Sequence, residues 1–446
     1  MKNIKQRWYI NMAISHVANS HKVFSTYARH RIFKSRILIT TLSVQKKMQK
    51  SILSNGLTLL LDKRDGDTVA IGILVKVGSN DERPQERGIA HFLEHMLFEG
   101  TTTKSAKELT GAIENVGGES NATTTNERTF FYAVVPKKHC DLALDMLADM
   151  FQNATFPQDA FEKEKNIIED EIKMLHDDPK AYQWIVFLGT LFKTNRTRLP
   201  IYGDLACIKR LRREDLIAFY EKYYTAKNII ISVSGDIRGI AEKIKKAFAT
   251  IRSSPIARWE NPLELKQEKK VQKKIQMQIN QSYIALGYKT PPTTDSNSPV
   301  LDVIKAILDR GQSSRLFEEI RTKRGLVYAV GAIHESDLAY GYFAVAAMTQ
   351  KKNIKKVRQL FLEILQLPNL SEQEVAVAKE YVEGSLIIEH ENNLERVEQN
   401  AIWDMFGAQY ASYRKAIRHV TLNDVKRVVK KYFTPAYTET ILEQKH

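Results

Sequence analysis

Residues 88–101 have the sequence GIAHFLEHMLFEGT, in which two histidines and a glutamate stand close together. His91, Glu94 and His95 occupy positions i, i+3 and i+4, which on an α-helix fall within an arc of about 100°. Two neutral imidazoles on one helical face can bind a zinc ion and leave a neighbouring carboxylate beside an open coordination position. The stretch therefore predicts a short helix that presents part of a metal site.

The spacing HxxEH is the reverse of the HExxH zinc-peptidase motif. A catalytic zinc site takes three protein ligands and keeps a fourth position for water, so a further donor must come from elsewhere in the chain. The segment 161–175, FEKEKNIIEDEIKML, predicts a helix rich in carboxylates. Spacing alone does not select among these carboxylates, which are Glu162, Glu164, Glu169, Asp170 and Glu171.

The composition is that of an ordinary soluble globular protein with room for two or three domains. The chain has 446 residues, of which 43% are hydrophobic and 27% are charged. No apolar run approaches the ~20 residues of a membrane helix, so we expect no integral membrane segment. The two cysteines, Cys140 and Cys207, are too few for a disulfide framework.

The net charge of +15 is concentrated at the amino terminus. Residues 1–61 contain eleven Lys and Arg and no acidic residue, which leaves about +4 for the rest of the chain. This small excess argues against a nucleic-acid partner. We interpret residues 1–47 as a basic extension that is either a mitochondrial transit peptide or a segment before a prokaryotic start at Met48. The first interpretation places the protein in the mitochondrial matrix, and the second places it in the cytoplasm.

Alternating and helical patterns begin near Ile52 and predict regular structure up to residue 176. Ser105 and Glu108 form a capping box at the start of one helix. The pattern predicts strands over 57–62 and 68–77, the motif helix over 89–98, a hairpin of 120–125 with 128–135, and a long helix that ends near 176.

Two segments of the chain are similar to each other at an offset of 209 residues. EDLIAFYEKYYTAKN (214–228) matches NDVKRVVKKYFTPAY (423–437), and the polar stretch 252–274 between them is typical of a linker. These features predict an internal duplication. We expect a catalytic domain at 48–251 and a second homologous domain, without metal, at 275–440.

The sequence resembles the pitrilysin family of zinc metallopeptidases, in particular the β-like branch of the mitochondrial processing peptidases and its half-size prokaryotic relatives. The resemblance covers about residues 50–437 and rests on HFLEH with a glutamate 76 residues after its second histidine, and on VGSNDE, GGESNATT and RTKRGLVYAV. It implies an α+β fold of two duplicated domains, each a mostly antiparallel sheet packed with helices.

The same resemblance assigns roles to individual residues. It implies that His91, His95 and Glu171 bind a single zinc ion, that Glu94 is the general base, and that Glu164 is a supporting carboxylate. The implied activity is hydrolysis of extended peptides or presequences by metal-activated water.

The resemblance also implies how substrate is held. Arg321 and Tyr328 match an Arg-x6-Tyr pair that binds the substrate carbonyl oxygen, and residues 120–125 match an edge strand to which a peptide can add. Because one chain contains only one pair of domains, the resemblance implies a homodimer, or a heterodimer with a homologous chain. A catalytically inactive homologue, either a respiratory-complex core subunit or a regulatory partner of a peptidase, is the alternative.

Overall fold

The computed structural model describes residues 48–255 and 261–445. In this part of the chain two β-sheets are each covered by helices, which confirms the predicted α+β class of two duplicated, mostly antiparallel domains. The predicted basic extension, residues 1–47, lies outside the described residues. No helix in the described ranges is both long and apolar enough to cross a membrane.

The first sheet has six strands in the order β1-β2-β6-β3-β5-β4. All neighbouring strands are antiparallel except β2 and β6. The strands are β1 (Gln49–Ile52), β2 (Thr58–Lys63), β3 (Thr68–Val75), β4 (Glu119–Thr124), β5 (Thr129–Pro136) and β6 (Ile229–Gly235). The helices from the same half are α1 (Ile89–Met96), α2 (Ala106–Glu114), α3 (Cys140–Asn153), α4 (Gln158–Asp177), α5 (Pro179–Leu191), α6 (Leu205–Arg210), α7 (Arg213–Tyr223) and α8 (Ile240–Ala247).

The second sheet has five strands in the order β7-β11-β8-β10-β9, and only β7 and β11 are parallel. Its strands are β7 (Val271–Met277), β8 (Ser282–Lys289), β9 (Val327–Ser336), β10 (Gly341–Thr349) and β11 (Thr438–Gln444). The helices from this half are α9 (Ser298–Leu308), α10 (Ile354–Leu365), α11 (Glu372–Glu389), α12 (Asn393–Met405), α13 (Tyr410–His419) and α14 (Leu422–Tyr432).

The two sheets have the same topology. Strands β2 to β6 correspond in order and direction to β7 to β11, and β1 is an additional edge strand. Helix α14 and strand β11 begin and end 209 residues after α7 and β6, which is the offset of the sequence repeat. The predicted duplication is therefore present in the fold.

The halves exchange one helix each. Helix α5 packs on β8 and β11 of the second sheet, whereas α12 packs on β3 and β6 of the first. Phe187 of α5 is buried beside Ala285 and Tyr342, and Val397 of α12 is buried beside Leu74. The central strands are covered on both faces for this reason, which explains why almost every residue of β3 and all residues of β6 are buried.

Polar contacts join the two halves beside the exchanged helices. Arg128, on the loop before β5, forms an ion pair with the buried Asp337, which follows β9. Gln183 of α5 donates to the backbone and side chain of Thr440 on β11, at 3.1 and 2.9 Å.

Strand β7 begins at Val271, so the last four residues of the predicted linker belong to the second sheet. The sequence boundaries at 251 and 275 stay a prediction, because the packed layers mix helices from both halves.

Candidate metal centre

Helix α1 carries the motif, and its position is set by packing on both sides. Ile89, Phe92, Leu93 and Met96 are buried in the main apolar core. The ring of Phe92 stacks on Phe161 of α4, with centroids 4.7 Å apart and planes 14° from parallel. This contact places the motif helix next to the helix that the sequence identifies as rich in carboxylates.

The three predicted ligands converge. His91, His95 and Glu171 each offer a ligand atom, and these atoms lie within 4.8 Å of one another. The two imidazole centroids are 4.6 Å apart, and His95 Nε2 is 3.9 Å from Glu171 Oε2. Two imidazoles and a carboxylate are a donor set that zinc prefers.

The unoccupied hydrogen-bonding positions of the imidazoles fit a metal ion. His95 Nδ1 is 3.1 Å from Glu164 Oε2, which orients the ring so that Nε2 faces Glu171. A ligating histidine commonly makes such a bond from its other nitrogen to a carboxylate. His91 is only 3% exposed, and among the described residues its Nδ1 has no hydrogen-bond partner.

Glu94 lies on the same helix and contacts the edge of the first sheet. Thr124, the last residue of β4, donates a hydrogen bond to Glu94 Oε2. Both side chains are buried, with residue exposures of 6% and 4%. In the described chain β4 pairs only with β5, so its other edge is open next to Glu94.

Burial and charge shift the pKa values of these groups in different directions. Burial lowers the pKa of His91 well below its ordinary value, and neighbouring His95 lowers it further. Burial raises the pKa of Glu94. For His95 the effect of burial is outweighed by Glu164 and by the charges of Glu171 and Glu94, which raise its pKa to about 9. The His91 imidazole is therefore neutral near pH 7, as binding of a metal requires, and Glu94 is a stronger base than an exposed glutamate.

Two contacts near the site were not anticipated from the sequence. The ring of Tyr202 meets the ring of His91 edge to face, with centroids 4.6 Å apart at 79°. Glu82 accepts hydrogen bonds from the N–H groups of Gly88 and Ala90 at the start of α1. Glu82 lies within the VGSNDE stretch, but a single carboxylate outside any periodic pattern gives no sign of its role. The sequence around Tyr202 likewise gives no sign of a contact with His91, which lies 111 positions earlier.

Arg321 and Tyr328 lie on the second half and not beside the three ligands. Arg321 belongs to a π-helical turn, Phe317–Thr322, and its guanidinium packs over the ring of Phe317 at 4.8 Å. Tyr328 is on β9, one of the two edge strands of the second sheet, and is 72% exposed. Within residues 48–255 and 261–445, neither side chain makes a hydrogen bond, ion pair or ring contact with the predicted ligands.

The sequence matches two models of one protein family. The model described as insulinase (peptidase family M16) matches residues 57–204, and the model described as the peptidase M16 inactive domain matches residues 210–381. The protein named "Uncharacterized zinc protease YmxG" of Bacillus subtilis is 30% identical over 396 residues, which cover 87% of this chain and 96% of the relative. The chain belongs to peptidase family M16. The resemblance to the pitrilysin family, based on the motifs, is thereby confirmed.

The chain is also similar to other proteins in sequence or in fold. A protein named "Uncharacterized zinc protease" of Rickettsia felis is 30% identical over 407 residues, covering 88% of this chain and 96% of the relative. The crystal structure of a protease from Helicobacter pylori has a TM-score of 0.85 at 23% identity and covers 89% of this chain and 99% of its own. A chain of complex III2 from Candida albicans has a TM-score of 0.75 at 18% identity, covering 89% and 95%. At these identities the solved structures show the fold alone.

Proposed function

We propose that the protein is a zinc-dependent endopeptidase that hydrolyses extended peptides or presequences. The observation that carries the proposal is the convergence of His91, His95 and Glu171 within 4.8 Å, with Glu94 on the same helix. Membership of family M16 and the zinc-protease names of the relatives support a peptidase.

His91, His95 and Glu171 would hold the metal, and Glu164 would orient His95. When bound by these residues, zinc would supply a water of lowered pKa, about 7, and would polarise a peptide carbonyl. Glu94 accepts the proton of the attacking water and later donates it to the leaving amine. The Thr124 hydroxyl holds one oxygen of this carboxylate in place, so that the orientation of the base is fixed before substrate binds.

The open edge of β4 is the proposed binding strand for substrate. An extended peptide that pairs with β4 forms backbone hydrogen bonds and lies alongside Glu94. Backbone pairing accepts many sequences but requires an unfolded segment. We therefore expect flexible peptides rather than folded proteins as substrates.

Arg321 and Tyr328 are proposed to act on the metal site of a partner chain, in a homodimer or in a heterodimer with a homologous chain. Both are on the second half, Tyr328 is exposed, and neither contacts the ligands of its own chain. From there their side chains would bind the substrate carbonyl oxygen as negative charge develops on it. Loss of one such donor typically lowers kcat by about 10²–10³-fold.

The decisive experiment is Glu94→Gln in the full chain. The variant should keep zinc at the wild-type content and lose cleavage of 15–40-residue peptides, measured by mass spectrometry with and without a chelator. Glu114→Gln, an exposed glutamate on the next helix, is the matched control and should retain full activity. Cleavage at the wild-type rate by Glu94→Gln would show that another group is the base.

The dimer proposal has its own test. Glu94→Gln chains and Arg321→Ala chains are each expected to be inactive, whereas a mixed dimer should recover part of the activity because one of its sites has both groups. A confirmed mixed dimer without activity would contradict action across the interface.

A catalytically inactive structural role is the second candidate. The likeness to a chain of complex III2, together with the match of residues 210–381 to the inactive-domain model, favours keeping it. A structural subunit or a regulatory partner of a peptidase would contain no zinc after purification in a zinc-containing buffer. The zinc content of each chain, measured by mass spectrometry of the metal, separates the two functions.

A further inference from the structure

The start of helix α1 is capped by the carboxylate of Glu82, which lies outside the helix. The side chain of Glu82 has no solvent exposure. Its Oε2 accepts the N–H of Gly88 at 3.0 Å, and its Oε1 accepts the N–H of Ala90 at 3.1 Å. The first N–H groups of a helix have no partner within the helix, and Gly88 has no side chain to cap them. Both carboxylate oxygens of Glu82 therefore cap the start of the helix from a residue outside it.

Glu82 is itself held from two directions. Arg87 Nη1 lies 3.3 Å from Glu82 Oε2 and donates to the carbonyl of Ser79 at 2.9 Å. The backbone carbonyl of Glu82 accepts a hydrogen bond of 2.7 Å from Arg196. Ser79 and Arg87 precede the motif helix in the chain, and Arg196 follows it. Glu82 therefore cannot move without displacing groups from both of these segments.

The chain around the helix start leaves little room for adjustment. Gly88 has φ +92°, and a Cβ at this position would lie 2.6 Å from the carbonyl oxygen of Tyr202. The same Tyr202 packs its ring on His91. A small rotation or translation of α1 would thus be transmitted directly to His91 and Glu94.

We propose that Glu82 is a positioning residue for the metal centre. It fixes the position of α1, which carries His91 and His95, relative to Glu171 on α4. The inference rests on the proposed function, because it assigns Glu82 to the same site. Glu82 does not touch the ligands and acts only through the two N–H groups that it binds.

The test compares Glu82→Gln with Glu108→Gln in the full chain. Glutamine keeps the shape of Glu82 but offers one acceptor oxygen instead of two, so one N–H of α1 loses its partner. We expect the zinc affinity measured by chelator competition to fall by about 10-fold or more, as is typical when groups that orient metal ligands are lost. With zinc in excess, kcat should fall by about 10-fold while KM stays within about twofold.

Glu108→Gln is the control because Glu108 also caps a helix of the same half. It accepts a 2.8 Å bond from Ser105 N at the start of α2, which carries none of the proposed site residues. Zinc affinity and kcat should therefore stay within about twofold of the wild type, whatever happens to the melting temperature.

The outcomes separate the inference from the proposed function. A Glu82→Gln protein that melts earlier but binds zinc and turns over peptide as the wild type does would show a purely structural cap and overturn the inference. If Glu82→Gln does not fold, Arg196→Ala removes the bond to the Glu82 carbonyl and should weaken zinc binding at least threefold. Unchanged binding in that variant would overturn the inference as well. A wild-type chain that binds no zinc would instead refute the proposed function.

Discussion

Glu264 lies on the linker between the two halves of the chain and binds groups from both halves. Its replacement should lower the free energy of unfolding by an amount that depends on pH. Its carboxylate accepts the N–H groups of Lys193, Thr194 and Asn195, which follow helix α5, at 2.8–3.0 Å. It also pairs with Lys289 on β8, whose side chain is 3% exposed. Successive N–H groups of this kind form an anion-binding concavity.

The size of the effect follows from the shifted pKa. Burial alone would raise the pKa of Glu264, but the bonds from Lys289 and the three N–H groups lower it from 4.5 to about 2. A carboxylate with a lowered folded-state pKa stabilises fully above its unfolded pKa and loses this contribution as the pH falls toward the folded one. A shift of this size corresponds to roughly 3 kcal/mol at pH 7 and roughly 1 kcal/mol at pH 3.

The assay is chemical denaturation of the wild type and Glu264→Gln between pH 7 and pH 3. The free energy of unfolding should be lower in the variant by about 2–3 kcal/mol at pH 7, and the difference should shrink as the pH falls. Glu268→Gln, an exposed glutamate on the same segment, is the matched control and should unfold as the wild type does. Equal stabilities at pH 7, or a difference that is independent of pH, would refute this reasoning.

Three further predictions concern the site and the exchanged helices. Thr124→Val removes the hydroxyl that binds Glu94, and kcat in steady-state peptide cleavage should fall by about 10-fold at unchanged zinc content, as expected for loss of one hydrogen bond to a charged group. Glu164→Ala removes the carboxylate that orients His95, and zinc affinity in a chelator competition should fall by about 10–100-fold. Phe187→Ala leaves a cavity against the second sheet, and the free energy of unfolding should fall by about 3–5 kcal/mol in denaturant titrations.

Each of these predictions has a contradicting result. Full kcat in Thr124→Val would mean that the base needs no hydroxyl to orient it. Wild-type zinc affinity in Glu164→Ala would remove the supporting carboxylate from the site. A Phe187→Ala protein of wild-type stability would show that helix α5 contributes little to covering the second sheet.

Local patterns predicted much of the secondary structure between residues 57 and 176, because neighbouring residues in sequence decide it. The motif helix, the hairpin of β4 and β5 and the long helix α4 are present close to their predicted bounds. The capping box of Ser105 and Glu108 forms as expected at the start of α2. The 209-residue repeat correctly indicated the duplication, since the repeated segments form the same helix-and-strand unit in each half, α7 with β6 and α14 with β11.

The exchange of α5 and α12 was beyond such patterns. An amphipathic helix shows in its sequence that one face is buried, but not which sheet covers that face. Either sheet would bury Phe187 equally well as judged from composition. Only the packed structure pairs α5 with the second sheet and α12 with the first.

The amino-acid sequence by itself determined that His91, Glu94 and His95 share one helical face, because the periodicity of a helix depends on backbone geometry alone. It left five carboxylates of α4 equivalent until the family resemblance selected among them. The tertiary structure decided that Glu171 lies next to the histidines and that Glu82 closes the helix start. Such contacts join residues far apart in the chain, and they are set by how buried faces pack together rather than by local spacing.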